Sequence, residues 1–582
     1  MGKLICKKRY DQDWVFLVFI GITAFITFIL IYGMLPLNVS YDKWIFEGFA
    51  EVDILQDYAG FMGFRNSAWT FPFGVAKEIG YPNGISIIHT NSSPYYAVLF
   101  KILNPILPQT FQYFGWEVLL CFIMNGILGY KILRLFLSEK VNCYIGSMFF
   151  LISPILIERA FRHSALANHF IILLAIFLYL KSRKENYRVS KMWIFLSFVS
   201  VGIHMYFVPL VFMFLVLNLV EASIHNKHIF TKIGFLFINL ISSIFSGWIL
   251  GLFTQTYQTS GCGYGFYGMN ANALINPTSL DIFSENTRIV WSNFLPVLPQ
   301  VYGNYDGFNY LGIGFMLLII VGCIYWIINM IQNKKEMVYF VKRNFFLFLA
   351  CLFILFFALS YNANFGERNL YVIDFCYEHV KLYSILSMFR SSGRFFYAVY
   401  YLMIISGLIS IFRNSHKLKY GLLVIMLIIQ IVDIFPALKH YHTYFSEKVE
   451  ISTNYSSSFW WNIPEQYTKF WVLNNESSYF LGYIAAKNEL RTNNNFGNRR
   501  NIEVEEELVT EKRAEILRED LEDDALYIFI QREDYERFVN SPNERPYDIF
   551  CVDGLMVLAN FNVDLRHALG ENDQIINRAN IR

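Results

Sequence analysis

Acidic residues crowd the segment that follows the first apolar run of the chain. Asp42, Glu47, Glu51, Asp53 and Asp57 fall within sixteen positions of each other. Asp53 and Asp57 are four residues apart, so on a helix they share one face. A carboxylate there can act as general base on a hydroxyl, or can hold a divalent cation on a phosphate. The alternative is that these acids only hydrate a loop at a membrane edge, since structural acids outnumber catalytic ones.

A second set of candidate residues is cationic. Guanidinium groups bind phosphate through two parallel hydrogen bonds, which suits a lipid phosphate or pyrophosphate. The alternative, equally open from the residues alone, is ion pairing with the acidic segment or with Glu158, Glu367 or Asp374. The candidates are Arg65, then Arg159, Arg162 and His163 in ERAFRHSALANHF, then Arg390 and Arg394 in FRSSGRFFYAVYY.

A third set lies in the long segment 254–309, which is rich in Gly, Tyr and Asn. Tyrosine rings stack on sugar faces, and Asn and Asp hydrogen-bond to sugar hydroxyls. The same composition is also typical of an irregular loop in which glycines permit tight turns. The candidates for contacting a sugar or an acceptor are Tyr267, Asn270, Tyr305 and Asp306.

The elements that must position these residues are membrane helices. Hydrophobic residues make up 55% of the 582, charged residues 16%, and the mean hydropathy is +0.37. One soluble core does not absorb that much apolar surface, so the bilayer must be part of the solvent. The net charge of +2 gives no basis for a nucleic-acid partner. The eight cysteines occur singly, which predicts neither a disulfide framework nor a zinc site.

The apolar runs predict about eleven transmembrane helices. The first run follows a basic N-terminus and is too long for a signal-peptide core, so it is an uncleaved span that starts in the cytoplasm. Lys and Arg concentrate in alternate connections, such as 181–191 and 333–343, which fixes the orientation by the positive-inside rule. The runs lie near 14–34, 113–133, 143–157, 167–180, 192–204, 206–222, 230–253, 310–331, 344–360, 395–412 and 420–437.

The predicted organisation is a membrane domain over residues 1–438 and a soluble domain over 439–582. The membrane domain includes a long first outer loop, 37–112, in which 93–108 reads as a re-entrant or interfacial helix. Beyond 438 the sequence turns polar, with a helix near 503–521 and buried strands in 525–530 and 547–559. We therefore expect an α-helical polytopic membrane protein with a C-terminal α/β domain on the extracytoplasmic face.

Several strings in this chain resemble, in order and spacing, an uncharacterised family of bacterial polytopic membrane proteins. That family looks like a branch of the C-type glycosyltransferase superfamily, the GT-C fold. The resemblance covers roughly residues 10–440 and, more loosely, the C-terminal domain. The strings are QDYAGFMGFRNSAWTFPFG, YPNGISIIHTNSSP, FKILNPILPQTFQYFGW, RHSALANHF, YGMNANALINP, NYDGFNYLGIG and FRSSGRFFYAVYY.

The resemblance implies a transferase of the plasma membrane that takes a sugar from a polyprenyl-phosphate donor to a cell-envelope polymer or protein. In that superfamily a carboxylate of the first outer loop is the usual catalytic base, which Asp53 matches best, with Asp57 as the alternative. The chain departs from the family pattern at three positions: Asp57 stands where His is expected, Asn91 where Asp is expected, and Asp306 where Glu is expected. A divalent cation is compatible with this chemistry, and the sequence assigns no metal ligands.

Two other function classes compete with a transferase. A lipid or polysaccharide transporter predicts polar residues spaced along several spans at mid-membrane depth, whereas the ionisable residues here cluster at the predicted outer rim. A catalytically inactive scaffold is favoured by the changed family positions. The sequence therefore predicts a GT-C-type transferase and leaves these two alternatives open.

Overall fold

The computed structural model describes the chain in fourteen stretches, within which it is mostly helical. Glu47, Glu51 and Asp374, named above, lie outside the described residues. The stretches are 13–46, 53–226, 228–254, 263–281, 288–332, 334–373, 379–414, 419–446, 455–474, 478–530, 532–539, 547–560, 565 and 567–577.

The secondary structure within these stretches comprises long helices, short helices and small strands. The α-helices are α1 (Asp13–Tyr32), α2 (Asp53–Asn66), α3 (Pro94–Ile102), α4 (Phe114–Arg134), α5 (Lys140–Leu151), α6 (Pro154–Arg159), α7 (Phe170–Lys184), α8 (Met192–Ile203), α9 (Phe207–Asn226), α10 (Ile229–Ile249), α11 (Ile313–Gln332), α12 (Lys334–Leu359), α13 (Val380–Ser387), α14 (Tyr397–Asn414), α15 (Lys419–Ser446), α16 (Tyr479–Lys487), α17 (Ile502–Leu517) and α18 (Arg532–Val539). The strands are β1 (Val75–Ala76), β2 (Ile85–Ser86), β3 (Thr278–Leu280), β4 (Arg288–Val290), β5 (Asn362–Phe365), β6 (Arg368–Val372), β7 (Lys469–Val472), β8 (Arg491–Thr492), β9 (Ala525–Phe529), β10 (Asp548–Val552), β11 (Leu555–Ala559) and β12 (Gln574–Asn577).

Nine helical segments in the described stretches are long and apolar enough to cross a membrane. They are α1, α4, α7 with its preceding turn from Ser164, α9, α10, α11, α12 from Met337, α14 with its preceding turn from Ser392, and α15 from Tyr420. The predicted run 143–157 is divided between α5 and α6, because Pro154 starts a new helix and cannot continue the old one. The run 192–204 forms the shorter helix α8, which ends at Ile203. These helices confirm the predicted class of a helical, multi-pass membrane protein.

The chain divides into two compact units. The first unit comprises 1–39, 113–244 and 260–448, and the second comprises 40–112, 245–259 and 449–582. The second unit thus gathers most of the predicted outer loop 37–112 as well as the C-terminal region. The domain boundary at residue 438 stays a prediction.

Helix packing in the first unit uses both small residues and buried polar groups. A Cβ built on Gly322 of α11 would lie 2.7 Å from the Cα of Gly407 on α14, so the two helices meet backbone to backbone. Asp433, fully buried on α15, accepts hydrogen bonds from the Tyr310 hydroxyl at 2.7 Å and the Ile313 amide at 2.9 Å. These bonds tie α15 to the start of α11.

The second unit contains a six-stranded sheet in the order β12-β10-β11-β9-β7-β8. The strands β8, β7 and β9 are parallel, and β9, β11, β10 and β12 are antiparallel. The run predicted at 547–559 is the β10–β11 hairpin. Its side chains join Trp471, Tyr527 and Ile516 of α17 in one buried core. This sheet confirms the predicted mixture of helix and strand near the C-terminus.

Helix α2, which carries both acidic candidates, is packed tightly within the second unit. A Cβ on Gly63 would lie 1.7 Å from the side chain of Ile79, so glycine allows the close approach. On the same helix, Tyr58 donates a hydrogen bond to Asp42 at 2.9 Å, and Tyr483 of α16 donates to the same carboxylate oxygen at 3.2 Å. The contact with Ile79 and the hydrogen bonds to Asp42 therefore hold α2 on two sides.

The contact between Gly322 and Gly407 yields a stability prediction. We expect Gly322→Ala to lower the free energy of unfolding by about 1–3 kcal/mol, because the added methyl group overlaps backbone that cannot rotate away. Gly234→Ala on α10 is the matched control, since nothing lies within 4 Å of its Cβ position. Removing a helical glycine there should leave stability unchanged or raise it by about 0.5–1 kcal/mol. Thermal melts of both variants in detergent provide the measurement, and equal shifts would contradict the proposed packing.

Candidate functional site

The first unit brings together cationic and acidic side chains from three separate segments of the chain. Arg159 ends α6, and Arg162 and His163 lie in the turn after it. Asp306 lies in the short turn Asn304–Gly307, and Arg394 lies in the turn Ser392–Phe396 that leads into α14. His163 is half-buried, and the side chains of the other four residues are at most 12% exposed. We call these residues and Glu158 the guanidinium cluster.

Asp306 is the centre of the guanidinium cluster. Arg394 binds its carboxylate through two parallel hydrogen bonds, from Nε to Oδ2 at 3.0 Å and from Nη2 to Oδ1 at 2.9 Å. Arg159 reaches the same Oδ1 from Nη1 at 3.0 Å and also donates to the backbone carbonyl of residue 306 at 2.6 Å. The carboxylate of Asp306 therefore partly neutralises the charges of two buried guanidinium groups.

Glu158 supplies the second negative charge of the guanidinium cluster. Its carboxylate lies 3.0 Å from Nε of Arg159 and pairs with Arg162, one helical turn further along. Arg162 also donates to the carbonyl of Leu280 at 2.8 Å, and Arg159 donates to the hydroxyl of Tyr397 at 2.7 Å. Within the described residues, three guanidinium groups thus share two carboxylates, which leaves an excess of one positive charge among these partners.

The electrostatics of the cluster fix its protonation states. Burial alone would raise the pKa of Asp306, but Arg394 and Arg159 hold that pKa well below its ordinary value. Burial, reinforced by the charges of Arg394 and Arg159, holds the pKa of His163 well below its ordinary value. The imidazole is therefore neutral, and its Nε2 accepts a hydrogen bond from Arg394 at 3.2 Å. The cluster contains an ionised acid beside an uncharged histidine.

Tyrosine rings form the more open edge of the cluster. The rings of Tyr267 and Tyr305 are 6.2 Å apart and both are half-buried. The guanidinium of Arg390 lies 5.7 Å from the ring of Tyr267, and that of Arg162 lies 6.0 Å from the ring of Tyr305. Arg390 is exposed, and no described carboxylate lies within ion-pairing distance of it. Burial raises the pKa of Tyr305 to about 12, so its hydroxyl stays protonated and can donate a hydrogen bond.

Asn270, predicted to contact a sugar, is occupied by its own loop. Its side-chain amide donates to Asn304 at 3.1 Å and to the carbonyl of Gly366 at 2.8 Å. Its carbonyl oxygen accepts from the backbone amides of Asn272 and Gly366. The residue is 1% exposed, so in this structure it shapes the loop beneath the tyrosines.

The remaining candidates lie in the second unit. Asp53 is the first residue of α2 and is half-buried, whereas Asp57, one turn later, is completely buried. Arg65, near the end of α2, donates to the carbonyls of Pro108 and Gln109 at 2.6 and 3.1 Å and to the side chain of Asn104. Burial lowers the pKa of Arg65. Its hydrogen bonds fasten α2 to the segment after α3.

Sequence reasoning did not foresee the ion-pairing role of Asp306, which it assigned to sugar binding. The signal was present, because buried arginines require acidic partners and Asp306 belongs to a short string flanked by apolar residues. Of the acids proposed as partners, Glu158 is observed to pair with Arg159 and Arg162, and Glu367 is not among the described ion pairs. In the described part of the chain, no group of three His, Cys, Asp or Glu side chains is placed to hold a metal ion.

Fold and site together define a polytopic helical membrane protein with a buried cluster of paired charges and a sheet-containing region near its C-terminus. The family model for a domain of unknown function, DUF6311, matches residues 21–435, and the model for the DUF6311 C-terminal domain matches 459–560. The chain belongs to the DUF6311 family. This confirms the predicted membership of an uncharacterised family. No curated protein matches the chain by sequence.

Archaeal oligosaccharyltransferases are among the solved structures that match the chain. One is the enzyme AglB from Archaeoglobus fulgidus in complex with an inhibitory peptide and a dolichol-phosphate, with 13% identity, a TM-score of 0.38, and coverage of 97% of this chain and 76% of that chain. Another is the Archaeoglobus fulgidus oligosaccharyltransferase tethered to an acceptor peptide with the NVT sequon, with 13% identity, a TM-score of 0.39, and coverage of 98% and 76%.

The pairing of Asp306 predicts a large effect of its removal. We expect Asp306→Asn to lower the free energy of unfolding by about 3–5 kcal/mol, because it leaves two buried guanidinium groups short of a counter-charge. Glu185→Gln is the control, since Glu185 is 51% exposed and lies 3.9 Å from Lys181 at the surface. That change should cost less than about 1 kcal/mol. Melting temperatures in detergent test both values, and similar small losses would show that the buried pairs contribute little.

The neutral state of His163 predicts a pH dependence of stability. Its pKa in the folded protein lies below that in the unfolded chain, so only the unfolded chain takes up this proton as pH falls below about 6.5. Stability should therefore decrease on acidification. His163→Gln should reduce the slope between pH 7 and 5 by up to about 1.4 kcal/mol per pH unit. Melts across this range test the slope, with His379→Gln, at an exposed histidine, expected to match the wild type.

Proposed function

We propose that this protein is a membrane glycosyltransferase of GT-C type. It transfers a sugar from a polyprenyl-phosphate donor to a polymer or protein of the cell envelope. The observation that carries the proposal is the guanidinium cluster, in which three arginines share two carboxylates at the end of apolar helices. A buried excess of positive charge is stabilised by an anion. The phosphate of a membrane lipid is an anion that reaches such a place without leaving the bilayer.

The phosphate-binding role falls to the less occupied guanidinium groups. Arg159 and Arg394 are engaged by Asp306, whereas Arg162 has one carboxylate partner and Arg390 has none within the described residues. Arg390 and Arg162 flank the two tyrosines, so a phosphate held by either guanidinium brings its sugar to a ring face. In this proposal Arg159 and Arg394 supply the positive field while charge develops on the departing phosphate, and the neutral His163 orients Arg394 by accepting its hydrogen bond.

The sugar-contacting role is assigned to Tyr267 and Tyr305. Aromatic rings cover the apolar face of a sugar, and the protonated hydroxyl of Tyr305 donates a hydrogen bond to a sugar oxygen. Asn270 supports the loop that carries Tyr267, and Asp306 supports the arginines. Neither is assigned direct contact with the sugar.

The catalytic base is assigned to Asp53, with Asp57 as the alternative. Asp53 is half-buried and therefore more accessible to an acceptor hydroxyl than Asp57, which is completely buried. In a single displacement, the carboxylate removes the proton of the hydroxyl, the hydroxyl oxygen bonds to the anomeric carbon, and the bond to the lipid phosphate breaks with inversion. The base and the phosphate-binding residues belong to different units of the chain, so each role is tested on its own residues.

The remaining assignments concern location. We propose that the protein lies in the plasma membrane with its N-terminus in the cytoplasm. The positive-inside rule supports this, since Lys and Arg concentrate in 181–191 and 333–343. The C-terminal sheet region then lies on the extracytoplasmic side, where an envelope acceptor is met.

A substitution at Asp53 tests the function. In a strain that lacks the gene, wild-type protein should restore a sugar on surface polymers or proteins, measured by mass spectrometry. Asp53→Asn should reduce that sugar by about 10²–10⁴-fold at equal expression, because the base is lost while the shape is kept. Glu503→Gln, at an exposed position of α17, is the control and should restore the sugar fully.

Two outcomes would contradict the assignment of Asp53 as the base. Full restoration by Asp53→Asn, together with loss in Asp57→Asn, would move the base to Asp57. Full restoration by both variants would exclude an acidic base at this helix and would favour a scaffold or a lipid transporter.

A further inference from the structure

A large groove opens between four helices of the first unit. Its walls come from α7, α11, α12 and α14, and its volume is about 790 Å³, within the range of ligand-binding pockets. It lies among the membrane helices, and the end that includes Lys184 lies away from the guanidinium cluster, because the turn that carries His163 precedes α7 and Lys184 is at the far end of that helix. The segment Ser164–Lys184 spans roughly 30 Å, about the thickness of the hydrocarbon core.

One end of the groove, which we call the basic mouth, carries three cations. They are Lys184 at the end of α7, Arg343 on α12 and Arg413 at the end of α14. The ammonium of Lys184 lies 4.8 Å from the ring of Phe136, and the guanidinium of Arg413 lies 5.8 Å from the same ring. Both arginines are close enough to act electrostatically on Lys184. The cations therefore meet at one place from three helices.

The three cations of the basic mouth lack acidic partners in the described part of the chain. All three are exposed, and no described carboxylate lies within ion-pairing distance of any of them. Their neighbour Arg183 differs, since it is buried and pairs with Glu221 at 3.0 Å. Arg183 also bonds to the side chain of Asn344 at 2.8 Å, which fixes α7 against α12. Arg183 therefore has a structural role, whereas the three cations of the basic mouth are available to bind an anion.

The rest of the groove is mostly apolar and is long. On α14 it extends from Arg413 back to Val399, a rise of roughly 20 Å, which exceeds half the thickness of the hydrocarbon core. Its walls away from the mouth include Ile319, Leu347 and Leu402. Apolar walls of this length match an acyl chain that starts at the membrane surface and runs towards the midplane.

We propose that the groove binds a glycerophospholipid with an anionic headgroup, taken from the leaflet at the basic mouth. Lys184, Arg343 and Arg413 bind the headgroup phosphate, and the acyl chains lie along the apolar walls. Basic pockets between membrane helices bind the headgroups of anionic lipids. The site is independent of the proposed transferase chemistry, because it uses none of the residues assigned to that reaction.

Lipid binding to the purified full-length protein tests the proposal. Native mass spectrometry would compare phosphatidylglycerol with phosphatidylcholine of identical acyl chains, after lipid removal in detergent. The wild type should retain phosphatidylglycerol in preference. The combined variant Lys184→Gln, Arg343→Gln, Arg413→Gln should weaken phosphatidylglycerol by about fivefold per cation and on the order of a hundredfold overall. It should weaken phosphatidylcholine much less, because the cationic choline group already offsets the charge of that lipid's phosphate.

Two further variants separate the groove from general surface charge. Arg188→Gln, Lys191→Gln, Lys335→Gln removes three exposed cations outside the groove and should change binding by less than about threefold. Ser406→Phe, on the α14 wall, should weaken both lipids because its ring fills acyl-chain space. Equal binding of the two lipids by the wild type, or equal losses in the two triple variants, would overturn the proposal. Unchanged binding in Ser406→Phe would place the lipid elsewhere.

Discussion

The carboxylate of Asp306, shared between Arg159 and Arg394, is the interaction on which the architecture of the first unit depends. It joins the end of α6, the turn at 304–307 and the turn that starts α14, which are far apart in the sequence. Charges that are buried to this extent are stabilised only when each one has a partner in the right geometry. The need to pair them therefore selects one arrangement of the three segments. Arg394 binds Asp306 through two parallel hydrogen bonds, which also fixes the relative orientation of the two side chains.

The same pairing is the basis on which we propose an anionic lipid substrate for the cluster. Asp306 and Glu158 pair with the arginines in part, so the chain itself stabilises these buried charges while a positive excess remains. A neutral His163 adds a hydrogen-bonding group without adding repulsion. The half-buried tyrosines at the edge complete a surface with a charged side and an aromatic side. In the proposed function, the groups that stabilise the cluster also bind the substrate, so a change at one of them should affect both stability and activity.

Much of the fold followed from composition and spacing. Apolar runs near the length of a bilayer predicted the long helices, since no other structure satisfies the backbone there. The run 143–157 is an exception, since it is predicted as one span and the structure divides it at Pro154, which cannot donate the helical hydrogen bond. The polar change after residue 438 predicted strands that are now seen as β9, β10 and β11. The long helices and these strands were predicted correctly because each depends on local chemistry.

The sequence by itself also determined which side chains are unusual, since arginines beside apolar helices require an anion or an acid. It did not determine which acid pairs with which arginine, or that Asn270 serves its own loop. Asp306 lies 147 positions from Arg159 and 88 from Arg394, and Asn270 lies 34 positions from Asn304, so only folding decides which of these residues meet. The basic mouth depends on tertiary structure for the same reason. Lys184, Arg343 and Arg413 look like ordinary flanking cations in the sequence, and helix packing brings them to one groove.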